Sequence, residues 1–110
     1  MEKRIGKIKK ISFGFGGYQD AQLGVSVELG SDKESWGVND FRGFWGTDRS
    51  TSCKWTEKDR EIALGKMCMW VKDLITDSNK TKIDQLAGVP VEVTFDGNLL
   101  KEWRILTEVI

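Results

Sequence analysis

The chain has no histidine, and this absence removes much of the usual equipment of enzymes. Without histidine there can be no Ser-His or Cys-His nucleophile pair, and the commonest metal ligand is missing. The glycine-rich segment 14–20 lacks the spacing of a dinucleotide-binding fingerprint, and no Walker A motif occurs. Scattered carboxylates such as Asp20, Glu28, Asp40 and Asp48 are typical of a solvated surface. We therefore expect no enzymatic activity, no catalytic residue, no metal site and no cofactor.

A net charge is also missing, because 17 basic residues balance 17 acidic ones. Proteins that bind duplex DNA usually carry a basic surplus, so duplex DNA is not an expected partner. The charge is uneven, however, since residues 1–10 hold five Lys or Arg and a single Glu. Such a run is typical of a solvated strand edge, and single-stranded nucleic acid is the alternative that it leaves open.

Long hydrophobic runs are absent, and the longest covers only residues 67–71. A membrane span needs about 18 apolar residues, and a secretory signal needs an apolar segment that the start lacks. We expect a single domain, 1–110, that stays in the cytosol and does not contact a membrane. The two cysteines have no zinc-binding spacing. Cys68 fits a buried helical position, whereas Cys53 lies in a polar loop and is expected to be exposed.

Alternation of apolar and polar residues predicts antiparallel strands. Asp96-Gly97 adds a strong hairpin signal, because a type I′ turn needs positive φ at both central positions. The strand after this turn carries Trp103, Ile105 and Val109 on one face. The other strands are expected at about 3–15, 23–29, 36–41 and 89–95.

One long helix is predicted between the third and fourth strands, with Thr56 as its N-cap. A short second helix is predicted over 82–87, ended by Gly88 and Pro90. The predicted fold is therefore α+β, a mainly antiparallel five-stranded sheet in the order β-β-β-α-α-β-β, with the long helix packed on one face. The apolar stripe of that helix consists of Leu64, Met67, Val71, Leu74 and Ile75.

Aromatic, glycine and arginine residues are concentrated in segment 36–49. Aromatic faces stack on nucleobases, arginines match phosphate, and glycines allow a ligand to approach the backbone. The same residue types suit a protein-protein interface or simply a hydrophobic core. Three interpretations therefore stay open: core, protein interface and small nucleotide site. The candidate binding residues are Tyr18, Trp36, Asn39, Phe41, Arg42, Phe44, Trp45 and Arg49.

Met69 and Trp70 fall beside the apolar stripe of the predicted helix. Exposed apolar patches often mark self-association, so a homodimer is one expected assembly.

Four segments resemble small uncharacterised proteins encoded by phages and prophages. They are GGYQDA at 16–21, WGV at 36–38, PVEVTFDG at 90–97 and WRILTEV at 103–109. The resemblance implies a non-enzymatic accessory protein in the cytosol of an infected bacterium. It favours a counter-defence inhibitor, like an anti-CRISPR protein, that contacts a host defence protein directly. The alternatives are a sponge for a small cyclic or modified nucleotide signal and a protein that binds single-stranded nucleic acid.

Overall fold

Five strands form one antiparallel sheet in the computed structural model, which describes residues 1–17, 19, 21–44 and 56–110. The sheet order is β3-β2-β1-β4-β5, and the helix α1 lies between β3 and β4 in the chain. This confirms the predicted α+β fold. The elements are β1 (Glu2–Gly16), β2 (Gln22–Gly30), β3 (Gly37–Phe44), α1 (Glu57–Asp77), β4 (Pro90–Asp96) and β5 (Leu99–Ile105), with 3-10 turns at Ile83–Gln85 and Thr107–Val109.

The second helix predicted over 82–87 is a single 3-10 turn, Ile83–Gln85. Gly88 follows with a φ of 91°, in the left-handed region, and the chain enters β4 at Pro90. A segment this short gains too few helical hydrogen bonds to offset the cost of helix nucleation.

Strand β1 joins the two halves of the sheet. Its first part, up to Lys7, pairs with β4, and the part from Lys7 onwards pairs with β2. Lys9 is an extra residue between Ile8, which faces Leu29, and Lys10, which faces Glu28. Such a bulge shifts the alternation of side chains by one position.

The hydrophobic core lies on one face of the sheet, here called the inner face, and the opposite face is called the outer face. Because the bulge changes the alternation in β1, Ile8 is fully buried and Ile11 also packs against the core. The largest fully buried side chains of the sheet are Ile8, Val25, Val27, Leu29, Val91 and Val93.

The helix packs on the inner face through a stripe slightly different from the predicted one. Met67, Val71, Leu74 and Ile75 contact the core as predicted, and Ala63 and Trp70 join them, whereas Leu64 falls on the flank of the stripe and is 43% exposed. The assignment of Cys68 to the core was wrong, because this thiol is exposed. It follows Met67, and one residue turns the chain by about 100° around a helix. Cys53 lies outside the described residues.

Trp70 is half-buried against the core, whereas Met69 is 55% exposed. Trp70, one of the two residues of the patch predicted to mediate self-association, therefore packs within the chain. In the described part of the chain, no helix is both long and apolar enough to cross a membrane.

The predicted hairpin between β4 and β5 is present, with a different turn. Asp96 pairs with Leu99, so the central residues are Gly97 and Asn98. Only Gly97 has a positive φ, 62°, which is the pattern of a type II′ turn. In β5, Trp103 and Ile105 face the core as expected, but Val109 lies in the terminal 3-10 turn and is exposed.

The edge strands β3 and β5 approach each other through their side chains. The Nε1 of Trp103 donates a hydrogen bond to Oδ2 of Asp40 at 2.7 Å, and Nε of Arg42 donates to the same oxygen at 3.3 Å. The Arg42 guanidinium lies 4.1 Å from the ring centre of Trp70, which meets Trp103 edge to face. These contacts link side chains of the two edge strands and tie α1 to them.

We expect Thr56→Ala to lower the free energy of unfolding by about 1 kcal/mol. The Thr56 Oγ1 accepts a hydrogen bond from the backbone N–H of Asp59, and the Asp59 carboxylate accepts one from the N–H of Thr56. The hydrogen bond that the backbone N–H of Thr56 donates to the carboxylate, followed by the smaller effect of the Thr56 side chain, lowers the pKa of Asp59. Urea denaturation measures the loss. Thr76→Ala, the same change at an exposed position inside α1, is the control, and equal losses in both variants would contradict the capping role.

Candidate functional site

Small residues line up across three strands on the outer face of the sheet. Ser26 pairs with Ser12 of β1 and Phe41 of β3, and the next outward-facing residue of β2, Gly24, pairs with Gly14 and Gly43. Residues directly opposite in a ladder share a face. Because Val25 and Val27 are in the core, Gly24 and Ser26 point the other way. We call the set Ser12, Gly14, Gly16, Gly24, Ser26 and Gly43 the platform.

The Phe41 ring lies across the glycine end of the platform. A Cβ built on Gly43 would lie 2.7 Å from Cε1 of Phe41, and one built on Gly16 would lie 3.0 Å from Cε2. The missing side chains therefore make room for the ring. Gly17 supports the same arrangement, since its φ of 70° turns the chain out of β1 beside the ring.

A shallow groove of about 410 Å³ opens on the platform, beside Phe41 and Asn39. Within residues 1–17, 19, 21–44 and 56–110, no atom lies within 4 Å of a Cβ built on Gly14, so these residues leave the floor open at that point. The groove offers an aromatic face, two serine hydroxyls, an amide and exposed backbone, and the lining residues that the structure describes include no ionised side chain. This set suits a flat, uncharged group that carries hydrogen-bonding edges.

The candidate residues of segment 36–49 are divided between the two faces of β3. Asn39 and Phe41 point outward at the groove, whereas Arg42 points inward to Asp40 and Trp70. Phe44 also points inward and is 6% exposed, so it belongs to the core.

Trp36, just before β3, lies over Gly6 and meets Phe95 edge to face at 5.6 Å between ring centres. It therefore does not share the groove with Phe41. Three other candidates, Tyr18, Trp45 and Arg49, lie outside the described residues.

The basic run at the start of the chain is largely paired. Arg4 forms ion pairs with Glu34 and Glu2, and Lys3 lies 3.9 Å from Glu92. Lys7 and Lys9 form the remaining ion pairs of the run, both with Asp32. Acidic residues of the connection between β2 and β3 thus neutralise much of the cationic surface that the sequence suggested.

Asp32 contacts both Lys7 and Lys9 through its two carboxylate oxygens. Hydrogen bonds from these ammonium groups, first from Lys7 and then from Lys9, lower the pKa of Asp32 to about 2. The carboxylate is therefore ionised at any pH above about 3. The spacing of residues 7 and 9 gave no hint of a shared partner, because that partner comes from another part of the chain.

Sequence reasoning also missed the platform as a unit. The signal was present as small residues two apart, at 12, 14 and 16 in β1 and at 24 and 26 in β2. Only the pairing register places these residues side by side. Among the residues that the structure describes, no three potential metal-ligating side chains are clustered.

No known protein family matches the chain, and neither a curated protein nor a solved structure matches it. Function is therefore inferred from the geometry of the site.

Proposed function

We propose that this chain is a non-enzymatic accessory protein that holds unpaired bases of single-stranded nucleic acid on the platform. The observation that carries the proposal is the Phe41 ring beside an open, glycine-floored groove on the outer face of β1, β2 and β3. A base that stacks on an aromatic side chain gains about 1–3 kcal/mol, whatever its identity. Ser12, Ser26 and Asn39 line the same groove and can hydrogen-bond to the edges of the base.

The topology supports the same ligand by analogy of fold. A five-stranded antiparallel sheet in the order β3-β2-β1-β4-β5, with its helix after β3 and a side-chain hydrogen bond between the two edge strands, resembles the OB-fold. OB-folds bind oligonucleotides and oligosaccharides on the face formed by strands 2 and 3, which is where the groove lies here. Fold alone does not determine function, so the chemistry of the groove carries more weight.

A small nucleotide is recognised by the same chemistry. The groove, at about 410 Å³, falls within the range of about 300–1,000 Å³ usual for small-molecule sites. A cyclic or modified nucleotide signal is therefore the second source of the same base, and binding it would make the protein a sponge. Length dependence separates the two sources, because a strand binds more tightly as it grows whereas a sponge prefers the small ligand.

The test is fluorescence anisotropy with labelled oligothymidylates of increasing length and with a panel of cyclic nucleotides. We expect Phe41→Ala to weaken binding about tenfold, which corresponds to about 1.4 kcal/mol of lost stacking. Ile5→Ala is the matched control, since Ile5 is an exposed apolar residue on the outer face of β1 but pairs with β4, away from the groove. If Phe41→Ala bound the ligands with the same affinity as the parent, the proposed site at Phe41 would be wrong.

Direct contact with a host defence protein is the second candidate function. It is favoured by the zero net charge and by the ion pairs of Arg4, Lys7 and Lys9 with acidic side chains, which neutralise part of the basic run at the start of the chain. Such an inhibitor fits the resemblance to small phage-encoded proteins and would act in the cytosol of the infected bacterium. An inhibitor would bind no nucleotide, and its complex with a purified defence protein would be weakened by Phe41→Ala. Dimerisation through Met69 stays a prediction.

A further inference from the structure

We propose that Lys7 and Lys9 form a phosphate-binding site on the outer face, and that Asp32 occupies this site while the protein is free. The inference rests on the proposed function, because it assigns the phosphates of the same bound strand to these two lysines. The ligand class is a phosphodiester or another phosphate group, and the platform takes the adjoining base.

The geometry of the three side chains is that of an occupied anion site. The Lys9 Nζ lies 2.5 Å from Oδ1 of Asp32, and the Lys7 Nζ contacts Oδ2. Two ammonium groups thus converge on two oxygens of one anion, as they would on two oxygens of a phosphate. Gly30 leaves space for the Lys9 side chain, since a Cβ built there would lie 3.3 Å from Cγ of Lys9.

The site and the platform lie on the same face of the same strand. Lys7 precedes the buried Ile8, so it points outward, and Lys10 pairs with the outward-facing Glu28. Lys9, at the bulge, reaches the same carboxylate as Lys7. Ser12 begins the platform five residues after Lys7, roughly 15 Å along the strand. A short single strand that follows β1 would therefore place phosphates at the lysines and bases at Phe41.

Asp32 can be displaced by a polyanion because all three partners reach solvent. The exposed fractions of the side chains are 60% for Asp32, 36% for Lys7 and 35% for Lys9. Ion pairs as exposed as these contribute little to stability. A strand of nucleic acid presents several phosphates and also releases condensed counterions, so it competes well against one carboxylate.

The experiment measures the affinity of Asp32→Asn for an abasic single-stranded oligonucleotide, which has phosphates but no bases, over a range of salt concentrations. We expect about fivefold tighter binding than the parent at low salt, with a slope of log K against log salt steeper by about 1. The gain should disappear when Lys7→Gln and Lys9→Gln are added to Asp32→Asn. Glu34→Gln is the matched control, because it makes the same charge change but removes one of the two carboxylates paired with Arg4, which shares the inner face with Val93.

The phosphate site is wrong if Asp32→Asn and Glu34→Gln increase the affinity for the abasic strand equally. It is also wrong if the increase caused by Asp32→Asn survives the loss of both lysines. Absence of binding to the abasic strand by every variant overturns it as well. Failure of the proposed base site has a different signature. In that case Phe41→Ala would bind the base-bearing strand as tightly as the parent does. The increase in affinity of Asp32→Asn for the abasic strand would remain.

Discussion

Replacing Gly6 with alanine is expected to lower the free energy of unfolding by about 3 kcal/mol, at the upper end of the usual cost of overpacking. The new Cβ would lie 2.7 Å from Cζ2 of Trp36 and would collide with the carbonyl oxygen of Gly30. That oxygen belongs to backbone held in the sheet, because Gly30 pairs with both Lys7 and Gly37. Neither neighbour can move without disturbing the ladder or the contact between Trp36 and Phe95. The melting temperature should be roughly 10 °C lower than that of the parent.

Gly14→Ala is the matched control, since it makes the same chemical change in the same strand. No atom of the described part of the chain lies within 4 Å of a Cβ built on Gly14, and its φ is not in the left-handed region. The alanine also reduces the conformational freedom of the unfolded chain, so its effect should lie between zero and about 1 kcal/mol of added stability. If Gly6→Ala were as stable as Gly14→Ala, the packing of Trp36 over Gly6 would be wrong.

The largest effect on binding is expected from Gly14→Leu, which should weaken binding of oligothymidylate at least about 30-fold, or about 2 kcal/mol. The leucine side chain would project from the open floor into the groove beside Phe41, where the base is proposed to stack. The residues that the structure describes leave space for a side chain at this position, so the fold should survive. Circular dichroism measures folding, and fluorescence anisotropy measures affinity on the same preparation.

Gly65→Leu provides the control for Gly14→Leu. A Cβ built on Gly65 also meets no atom of the described residues within 4 Å, but this residue lies on α1, away from the platform. Its affinity should equal that of the parent. A folded Gly14→Leu variant with the parent's affinity would place the ligand on another surface, and a protein partner would then be the better proposal.

Much of the local structure was predictable because its causes are local. The capping box of Thr56 and Asp59 lies within four residues, and the glycine-containing turn before β5 follows from the strain that other residues meet at positive φ. The alternation in β2 predicted its core face correctly. In segment 36–49, the same alternation already separates residues 39 and 41 from 42 and 44. These residues were predicted to form one site, but neighbouring side chains of a strand point to opposite faces, so they cannot all share one surface.

The remaining features depend on contacts between distant parts of the chain. The bulge at Lys9 is visible only from its pairing with β2, and the burial of Trp70 depends on Trp103, which is 33 positions away. The partners of the basic run come from the connection after β2 and from β4. No local pattern encodes such pairs, because each depends on where two separate segments come to lie.

The sequence by itself determined the α+β class, the five strands, the long helix and its N-cap, since propensity, capping and alternation act over a few residues. Tertiary structure alone decided that Gly14, Gly24 and Gly43 form one row, that Phe41 lies beside it and that Asp32 bridges two lysines. The reason is the strand register. A shift by a single residue would turn every side chain of a strand to the opposite face, and the register is fixed by the burial of the whole core.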